Sequence, residues 1–260
     1  MSASIRKDAY YVVLKRNLPP LAPSRADEGK RYLDELTSRL ATLPKEPREF
    51  LSNRIRLHAN NSLAKEMSDL GLQREDELSS FWVLTKMNTI EEATAFWTHK
   101  EALQALGDLS AGGLIFYAQP KICLDVSESS PIDFQQRAHM MSVIYSPPGV
   151  TNTVFTAYLK KFLDELVGFL QANKYEMLKH TLLQPMEGDS VPDEVYPSYL
   201  HPGPEIAVVL IEYPSMAALA KDLERPESKV LVENFFKLLP GIRATGFCVD
   251  IETNFRVDGA

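Results

Sequence analysis

The sequence predicts an α+β fold made of two tandem copies of a β-α-β-β-α-β unit, and two observations lead to this prediction. An apolar-Cys-apolar-Asp-apolar pattern occurs at 122–126 and again at 247–251. Upstream of each copy, an apolar run (81–84 and 207–210) precedes a segment with helical character. Elements matched in the same order indicate an internal duplication, with one half at residues 1–130 and the other at residues 131–260.

In the second half, the hydrophobic pattern assigns each element in turn. Apolar residues at three- and four-residue spacing predict a helix over 151–171, capped by Thr151 or Asn152. A second helical region, 215–239, is expected to break at Pro226. Apolar runs predict strands at 139–145, 175–183, 206–213 and 245–252, with a Pro-rich loop at 184–204.

The first half follows the same order with a weaker pattern. Ile55 and Leu57 alternate with two arginines, which predicts the second strand at 53–60. The polar segment 61–79 is expected to hold an additional short helix. Apolar runs place the remaining strands at 9–14, 81–86 and 122–126.

A β-α-β-β-α-β unit is the ferredoxin-like supersecondary motif, whose four-stranded sheet carries helices on one face only. The other face is apolar in this sequence and must be covered. Two such units in one chain can cover each other. The sequence therefore predicts two tandem ferredoxin-like units packed sheet to sheet as an intramolecular dimeric α/β barrel.

Several segments carry a resemblance to a known superfamily. Residues 206–219, 235–241 and 247–252 resemble the dimeric α/β-barrel superfamily, and within it the tandem, EthD-like proteins often found in fungal secondary metabolism. The segments 81–86, 90–96 and 122–126 form the first-half copy of this likeness. The superfamily includes cofactor-free monooxygenases, polyketide cyclases, dehydratases, isomerases and haem enzymes, and the fold does not choose among them.

One motif of the EthD-like proteins is absent from this chain. Many of them carry a Tyr-rich segment that ends in His-x-Pro on or after the first helix. Neither half has this motif, because Leu43-Pro44 lacks a preceding histidine and Gln171-Ala172-Asn173 contains none. A catalytic role for that histidine therefore has no position to occupy here.

Composition and motifs exclude several functional classes. The formal net charge is −7 and neither half is basic, which disfavours nucleic-acid binding. No apolar run reaches the roughly 18–20 residues of a membrane span, and the first residues lack the apolar core of a signal peptide. Cys123 and Cys248 cannot form a disulfide framework and suit a reducing, cytoplasmic location. Phosphate-binding, dinucleotide-binding and serine-hydrolase motifs are absent, and no histidine pair has metal-ligand spacing, so no cofactor and no metal are expected.

The candidate catalytic residues are three histidines and two acids. His58 and His180 occupy matching positions in the second strand of each half, and His139 opens a strand that continues with Met141 and Val143 on the same face. A histidine with a pKa near 6.5 suits general acid–base catalysis. Asp125 and Asp250 lie in apolar strands, where each either bonds to a basic or main-chain partner or acts as a buried base with a raised pKa.

The candidate substrate-binding residues are mainly aromatic. Such side chains form walls for an apolar molecule, and their polar atoms orient a carbonyl or enol. A stiff segment that is rich in Tyr, His and Pro, 195–204, is expected to form a lid over the mouth of the pocket. The residues concerned are Tyr11, Trp82, Tyr145 and Tyr213 in the strands, and Tyr199 and His201 in the lid.

These features favour a cofactor-independent enzyme of secondary metabolism. We expect acid–base cyclisation, dehydration or isomerisation of an apolar, polyketide- or terpenoid-like molecule by a monomer or weak homodimer. Two alternatives stay open: a non-catalytic small-molecule-binding or stress protein of the same fold, and a haem-dependent enzyme with a histidine as axial ligand.

Overall fold

A computed structural model describes residues 4–5, 10–17, 38, 54–60, 62–73, 80–87, 89, 91, 113–133, 136–186, 201–202 and 206–253. Within these residues the protein is an α+β fold with one 11-stranded sheet and four helices. The strands are β1 (Ser4–Ile5), β2 (Tyr10–Asn17), β3 (Arg54–Asn60), β4 (Ser80–Met87), β5 (Gly113–Ala118), β6 (Lys121–Asp125), β7 (Ala138–Tyr145), β8 (Lys179–Leu183), β9 (His201–Pro202), β10 (Ile206–Tyr213) and β11 (Arg243–Thr253). The helices are α1 (Ala64–Asp69), α2 (Asn152–Asn173), α3 (Met216–Leu223) and α4 (Pro226–Leu238).

The two halves have the same strand order. In the second half, the chain runs β7, α2, β8, β10, α3 with α4, and β11, and the strands lie in the order β8-β10-β7-β11. In the first half, the corresponding strands lie in the order β3-β4-β2-β5. All of these neighbours are antiparallel. The β-α-β-β-α-β prediction therefore holds for the second half, and the described strands of the first half match it.

Strand pairing links the halves at two places. The first part of β11 pairs with β7 of its own half, and its last part pairs with β3 of the first half. Likewise β5 pairs with β2, whereas β6, which follows it after two residues, pairs with β8 of the second half. The amide of Met186, just after β8, also donates to the Tyr117 carbonyl at 2.9 Å. The eight strands of the two units thus form a ring in which each half pairs with the other at both edges.

The two faces of the sheet have separate cores. Alternate residues of β7, such as Met141 and Val143, join a cluster with Val13, Trp82 and Phe116 of the first half. This cluster, called the cluster inside the ring, combines side chains of both halves and contains no residue of a described helix. The alternating residues Met140 and Ile144 instead face α2, α3 and α4 in a larger cluster, in which none of the described side chains comes from β2, β4 or β5.

Local signals explain where the described helices begin and end. The Thr151 hydroxyl accepts a hydrogen bond from the Val154 amide and caps α2, as the sequence predicts. Ser215 caps α3 in the same way through the Ala218 amide. Pro226 separates α3 from α4 because a proline fits the first turn of a helix but not its interior.

Some predicted boundaries are wrong. The second strand of the second half begins at Lys179 rather than residue 175, because 175–178 do not pair as a strand and the Glu176 amide donates to the Asp222 side chain of α3 instead. The fourth strand of the first half begins earlier than residue 122, at Gly113, and continues as β6 after a two-residue interruption. The short helix expected in 61–79 is α1. The segment with helical character that follows the apolar run 81–84, and most of the loop 184–204, lie outside the described residues.

Candidate functional site

A cavity of about 140 Å³ lies between the second-half sheet and its helices. Met140, Val209 and Ile211 of the sheet form one wall, and side chains of α2, α3 and α4 form the opposite wall. The volume is close to the roughly 150 Å³ of an engineered apolar cavity that holds a benzene molecule. A small apolar ligand is therefore compatible with this space.

The segment 62–73 of the first half closes one side of the cavity. Leu70 and Leu72, which follow α1, both line it. The segment is joined to β11 by a hydrogen bond of 2.8 Å from the Gln73 amide to the Ala244 carbonyl. Leu72 lies over Gly246, where an added Cβ would be 2.5 Å from the leucine Cδ1. A side chain at 246 would therefore force the Leu72 side chain to move.

His180 lies in the cavity wall contributed by β8, opposite Ile211 of β10. Only 3% of the residue is exposed, and its Nδ1 is buried without a hydrogen-bond partner. Burial lowers the pKa of His180 to about 4, although its own main chain opposes part of this change. The imidazole is therefore uncharged at neutral pH, with one nitrogen that donates a proton and one that accepts.

A buried carboxylate completes the polar part of the site. Asp222 of α3 is 1% exposed, and it forms an ion pair of 2.9 Å with Arg225. Its Oδ2 accepts a hydrogen bond of 2.9 Å from the Glu176 amide. Burial raises the pKa of Asp222, whereas the Glu176 amide and the Arg225 charge act against the increase. Burial and the charge of Asp222 together raise the pKa of Tyr213.

Tyr175 and Ser228 join this network at the cavity edge. The Tyr175 hydroxyl and the Ser228 hydroxyl are 2.6 Å apart, and Ser228 donates in turn to the main-chain carbonyl of Asp222. The guanidinium carbon of Arg225 lies 4.7 Å from the centre of the Tyr175 ring. These contacts immobilise the polar side of the cavity, since each group holds its neighbour in place.

The other described histidine candidate, His139, lies on the opposite face of the sheet. It alternates with Met141 and Val143, which belong to the cluster inside the ring, as the sequence predicts. Burial and the nearby charge of Arg137 lower the pKa of His139 to about 4. His139 and His180 are thus both uncharged, but only His180 lines the cavity.

The aromatic candidates divide between the two faces. Tyr213 is 3% exposed and lines the cavity, and its role in substrate binding stays a prediction. Tyr11, Trp82 and Tyr145 instead pack in or against the cluster inside the ring. The Lys15 amine lies 5.4 Å from the Trp82 ring centre. The structure therefore does not bring these three aromatic residues to the cavity beside His180.

Asp125 is placed at an exposed strand end. Its carboxylate forms an ion pair of 3.0 Å with Lys179 and accepts a hydrogen bond of 2.6 Å from the Ser127 hydroxyl. Burial acts in the opposite direction, but the hydrogen bonds from Ser127 and Lys179 outweigh it and lower the pKa of Asp125. The expectation of a buried base with a raised pKa is wrong for Asp125, because the basic partner and the Ser127 hydroxyl stabilise the charged form.

The remaining candidates are described only in their main chain or not at all. His58 of β3 and Asp250 of β11 are directly opposite each other in the sheet, and the side chains of both lie outside the described residues. His201 belongs to β9, which pairs with β5, and its side chain is also outside the described part. Tyr199 and the rest of the predicted lid lie outside the described residues as well.

The sequence interpretation missed Asp222, Arg225 and Tyr175. A signal for Asp222 existed, since it lies on the same helical stripe as the buried residues Ala218 and Leu219. A charged residue in an apolar stripe needs a partner and often marks a functional site. Its hydrogen bond with the Glu176 amide could not be read from the pattern, because it depends on how α3 packs against the segment after α2.

The geometry of the site bears on whether it can hold a metal ion or a haem. Over the described parts of the chain, no group of three or more His, Cys, Asp or Glu side chains is arranged to hold a metal ion. His180 has the chemistry of an axial ligand, but a haem is at least drug-sized, and such ligands occupy roughly 300–1,000 Å³. The cavity of about 140 Å³ does not fit a haem.

Comparison with known proteins adds likenesses of overall shape. No family model matches the chain, and no curated protein matches it. A proposed monooxygenase from Lactobacillus acidophilus NCFM has a TM-score of 0.47 at 9% identity, with 95% of this chain and 97% of that chain covered. A proposed monooxygenase from Fusobacterium nucleatum has a TM-score of 0.49 at 10% identity, with 94% of both chains covered. A chlorite dismutase mutant from Candidatus Nitrospira defluvii has a TM-score of 0.42 at 8% identity, with 93% of this chain and 91% of that chain covered.

Among the described residues no helix is long and apolar enough to cross a membrane.

Proposed function

We propose that the protein is an enzyme that binds a small apolar molecule in the cavity beside His180 and transfers a proton on it without a bound cofactor. The observation that carries the proposal is a buried, uncharged imidazole in the wall of an otherwise largely apolar cavity. An unpaired polar atom in such a place costs about 1–3 kcal/mol. A ligand that hydrogen-bonds to His180 would recover part of this cost.

The ring of strands supports an architecture of two tandem ferredoxin-like units that form an intramolecular dimeric α/β barrel. Each unit keeps the same strand order, and each pairs with the other at both edges. The enclosed space is filled by side chains from both halves. In this arrangement the cavity lies on the helix side of the second unit's sheet, and the barrel interior lies on the opposite face of the same sheet.

An uncharged imidazole favours reactions that leave the site neutral. Charge creation in an apolar cavity is costly, so His180 would accept a proton at one nitrogen as its other nitrogen returns one. The electron pair of the broken C–H or O–H bond enters the substrate, and no oxidant or reductant is required. Isomerisation, dehydration and cyclisation all have this balance, since the proton lost by one atom is matched by the proton gained by another.

The cavity volume limits the substrate. About 140 Å³ suits a single ring or a short branched chain, by comparison with the roughly 150 Å³ cavity that binds benzene. A monocyclic or short terpenoid-like molecule therefore fits better than a fused polycyclic polyketide. Tyr213, which lines the same cavity as His180, would orient an oxygen of this molecule.

Deuterium incorporation tests the reaction. Single-ring enols, β-hydroxyketones and conjugated ketones would be incubated with the protein in D₂O and analysed by mass spectrometry. We expect His180→Gln to lower the rate of incorporation by about 10²-fold or more. His139→Gln is the informative comparison because His139 is equally uncharged but lies on the other face. Loss of activity in His139→Gln with full activity in His180→Gln would place the reaction inside the ring and refute the proposal.

A second function uses the same cavity without catalysis. The pKa of about 4 makes His180 a weak base, which favours a role in binding rather than turnover. A protein that binds single-ring probes at His180 but exchanges no proton with any of them would be a small-molecule-binding protein. Sedimentation of the same samples would measure the oligomeric state of the protein, which is predicted to be a monomer or weak homodimer.

A further inference from the structure

A second, polar space lies beside the apolar cavity. This cleft has a volume of about 480 Å³ and is lined by residues of α1 from the first half and of the turn that joins α3 to α4. Leu70, which follows α1, and Leu223, the last residue of α3, line both the cavity and the cleft. Each of these two side chains therefore borders the cavity as well as the cleft.

The boundary between the two spaces continues from α3 into α4. Asp222 lines the cavity, whereas Arg225, its ion-pair partner at 2.9 Å, lines the cleft. Ser228 and Lys229 are consecutive residues of α4, and they line the cavity and the cleft respectively. The cavity and the cleft are thus neighbours along the whole turn between the two helices.

The two shared leucines form a neck between the spaces. Leu70 is 8% exposed, whereas Leu223 is only half-buried. Side chains with exposed surface change rotamer within picoseconds to nanoseconds. A rotation of Leu223 at the neck would therefore connect the cavity with the cleft without any movement of the sheet.

The cleft has a different chemistry from the cavity. Its described lining includes three basic and three acidic side chains, none of which is buried: Lys65, Arg225 and Lys229, and Glu66, Asp69 and Glu224. Ammonium and guanidinium groups donate hydrogen bonds, and carboxylates accept them. A ligand group with a net charge meets like charges in this cleft. A hydroxyl or an amide both donates and accepts, so it is matched to side chains of either sign.

The cavity alone is small for a ligand site. Pockets for small molecules usually measure about 300–1,000 Å³, whereas the cavity has about 140 Å³. With the cleft included, the space reaches that range. A ligand that occupied both spaces would bury an apolar end beside His180 and would keep a polar end in the cleft, next to solvent.

We infer that the ligand is an elongated amphiphile whose apolar end occupies the cavity and whose uncharged polar end, a hydroxyl or an amide, occupies the cleft. A narrow chain of the ligand passes through the neck between Leu70 and Leu223. This inference rests on the proposed function for the location of the apolar end. It adds an outer subsite, formed jointly by α1 of the first half and the α3–α4 turn of the second.

Two probes test the outer subsite on the full chain: toluene, and phenylpropanol, which carries a propyl chain that ends in a hydroxyl. Each is titrated into isotope-labelled protein and followed by NMR. Toluene should shift the signals of Val209 and Ile211 in the cavity wall and leave the cleft signals unchanged. Phenylpropanol should shift the same cavity signals and also the amide signals of Glu224 and Lys229. Its affinity should be within about 3-fold of that of toluene, or tighter, because its chain has space outside the cavity.

A cavity without an outer subsite would give a different result with the same probes. The chain of phenylpropanol would then overfill the cavity and weaken its binding by about 10-fold or more relative to toluene. That result, or a phenylpropanol complex in which the Glu224 and Lys229 signals do not move, would overturn the inference while the cavity remains a binding site. If neither probe shifts the cavity signals at millimolar concentration, the proposed function and this inference are both wrong.

Two leucine variants test the neck. Leu223 and Leu231 are both half-buried and both line the cavity, but only Leu223 also lines the cleft. In Leu223→Ala the association and dissociation rates of phenylpropanol should both rise by about 3-fold or more, since a wider passage speeds movement in both directions. Leu231→Ala enlarges the cavity by a similar amount and should not raise both rates. Equal association rates in the two variants would refute the role of Leu223 in the neck.

Discussion

Acidification from pH 7.5 to pH 4.5 is expected to destabilise the protein through its two buried histidines. The pKa of His139 and that of His180 are both lowered to about 4, whereas an unfolded histidine has a pKa near 6.5. Between these two values the unfolded chain binds more protons than the folded one. Their contribution to stability is therefore fully present above pH 6.5 and is lost as the pH falls toward 4.

The size of the effect follows from the width of this window. Between pH 6.5 and pH 4, each unit of acidification lowers the free energy of unfolding by about 1.4 kcal/mol per histidine. The accumulated loss is about 2 kcal/mol per histidine at pH 5 and about 3 kcal/mol at pH 4. Domains are typically stable by only about 5–15 kcal/mol, so the two histidines together could unfold the protein. Asp222 acts in the opposite direction, since its raised pKa makes its protonation favour the folded state as the pH falls.

Urea denaturation at a series of pH values, followed by tryptophan fluorescence and circular dichroism, measures this loss. His180→Gln is the matched variant because it keeps a polar side chain of similar length but cannot titrate. The difference in unfolding free energy between wild type and His180→Gln should change by about 2 kcal/mol in favour of the variant between pH 7.5 and pH 5. A difference that stays constant with pH would show that His180 is solvated or paired in the folded state, and the reasoning about the site would fail.

Three further predictions concern packing and reactivity. Gly246→Ala should lower the free energy of unfolding by about 1–3 kcal/mol, because the new Cβ meets Leu72, and adding Leu72→Ala should restore part of it in a calorimetric double-mutant cycle. Arg225→Met should lower the free energy of unfolding by about 3 kcal/mol at pH 7, because it leaves the buried Asp222 carboxylate uncompensated. The loss should be smaller near pH 4, where that carboxylate is protonated more readily. Equal losses at both pH values in urea denaturation would contradict this. The Cys123 thiol, whose pKa is raised to about 12 mainly by burial, should react with a thiol reagent at pH 8 only when the protein unfolds, and a fast reaction in the native state would refute its burial.

Much of the second half could be predicted from local pattern. The apolar run 206–213 is β10 residue for residue, and Thr151 and Pro226 mark helix starts as expected. These features depend on steric and hydrogen-bonding preferences of neighbouring residues, which the sequence displays directly. Strand alternation also assigned His139 to the face of Met141, and the structure agrees.

The candidate site could be predicted only in part. His180 and Tyr213 were identified as chemistry-bearing residues, and both line the cavity. Alternation along a strand shows which residues share a face, but it does not show which face adjoins a cavity. Asp125 illustrates the same limit, since its ion pair with Lys179 depends on the pairing of β6 with a strand of the other half.

The order of strands and helices, the two-fold repetition and the apolar character of both sheet faces were determined by the sequence alone. The cavity was decided by tertiary structure, because its walls combine Leu72, His180 and Asp222, which come from three distant segments. Periodicity is a local property of the chain, whereas the volume between packed side chains and the partner of a buried charge depend on all the segments that meet there.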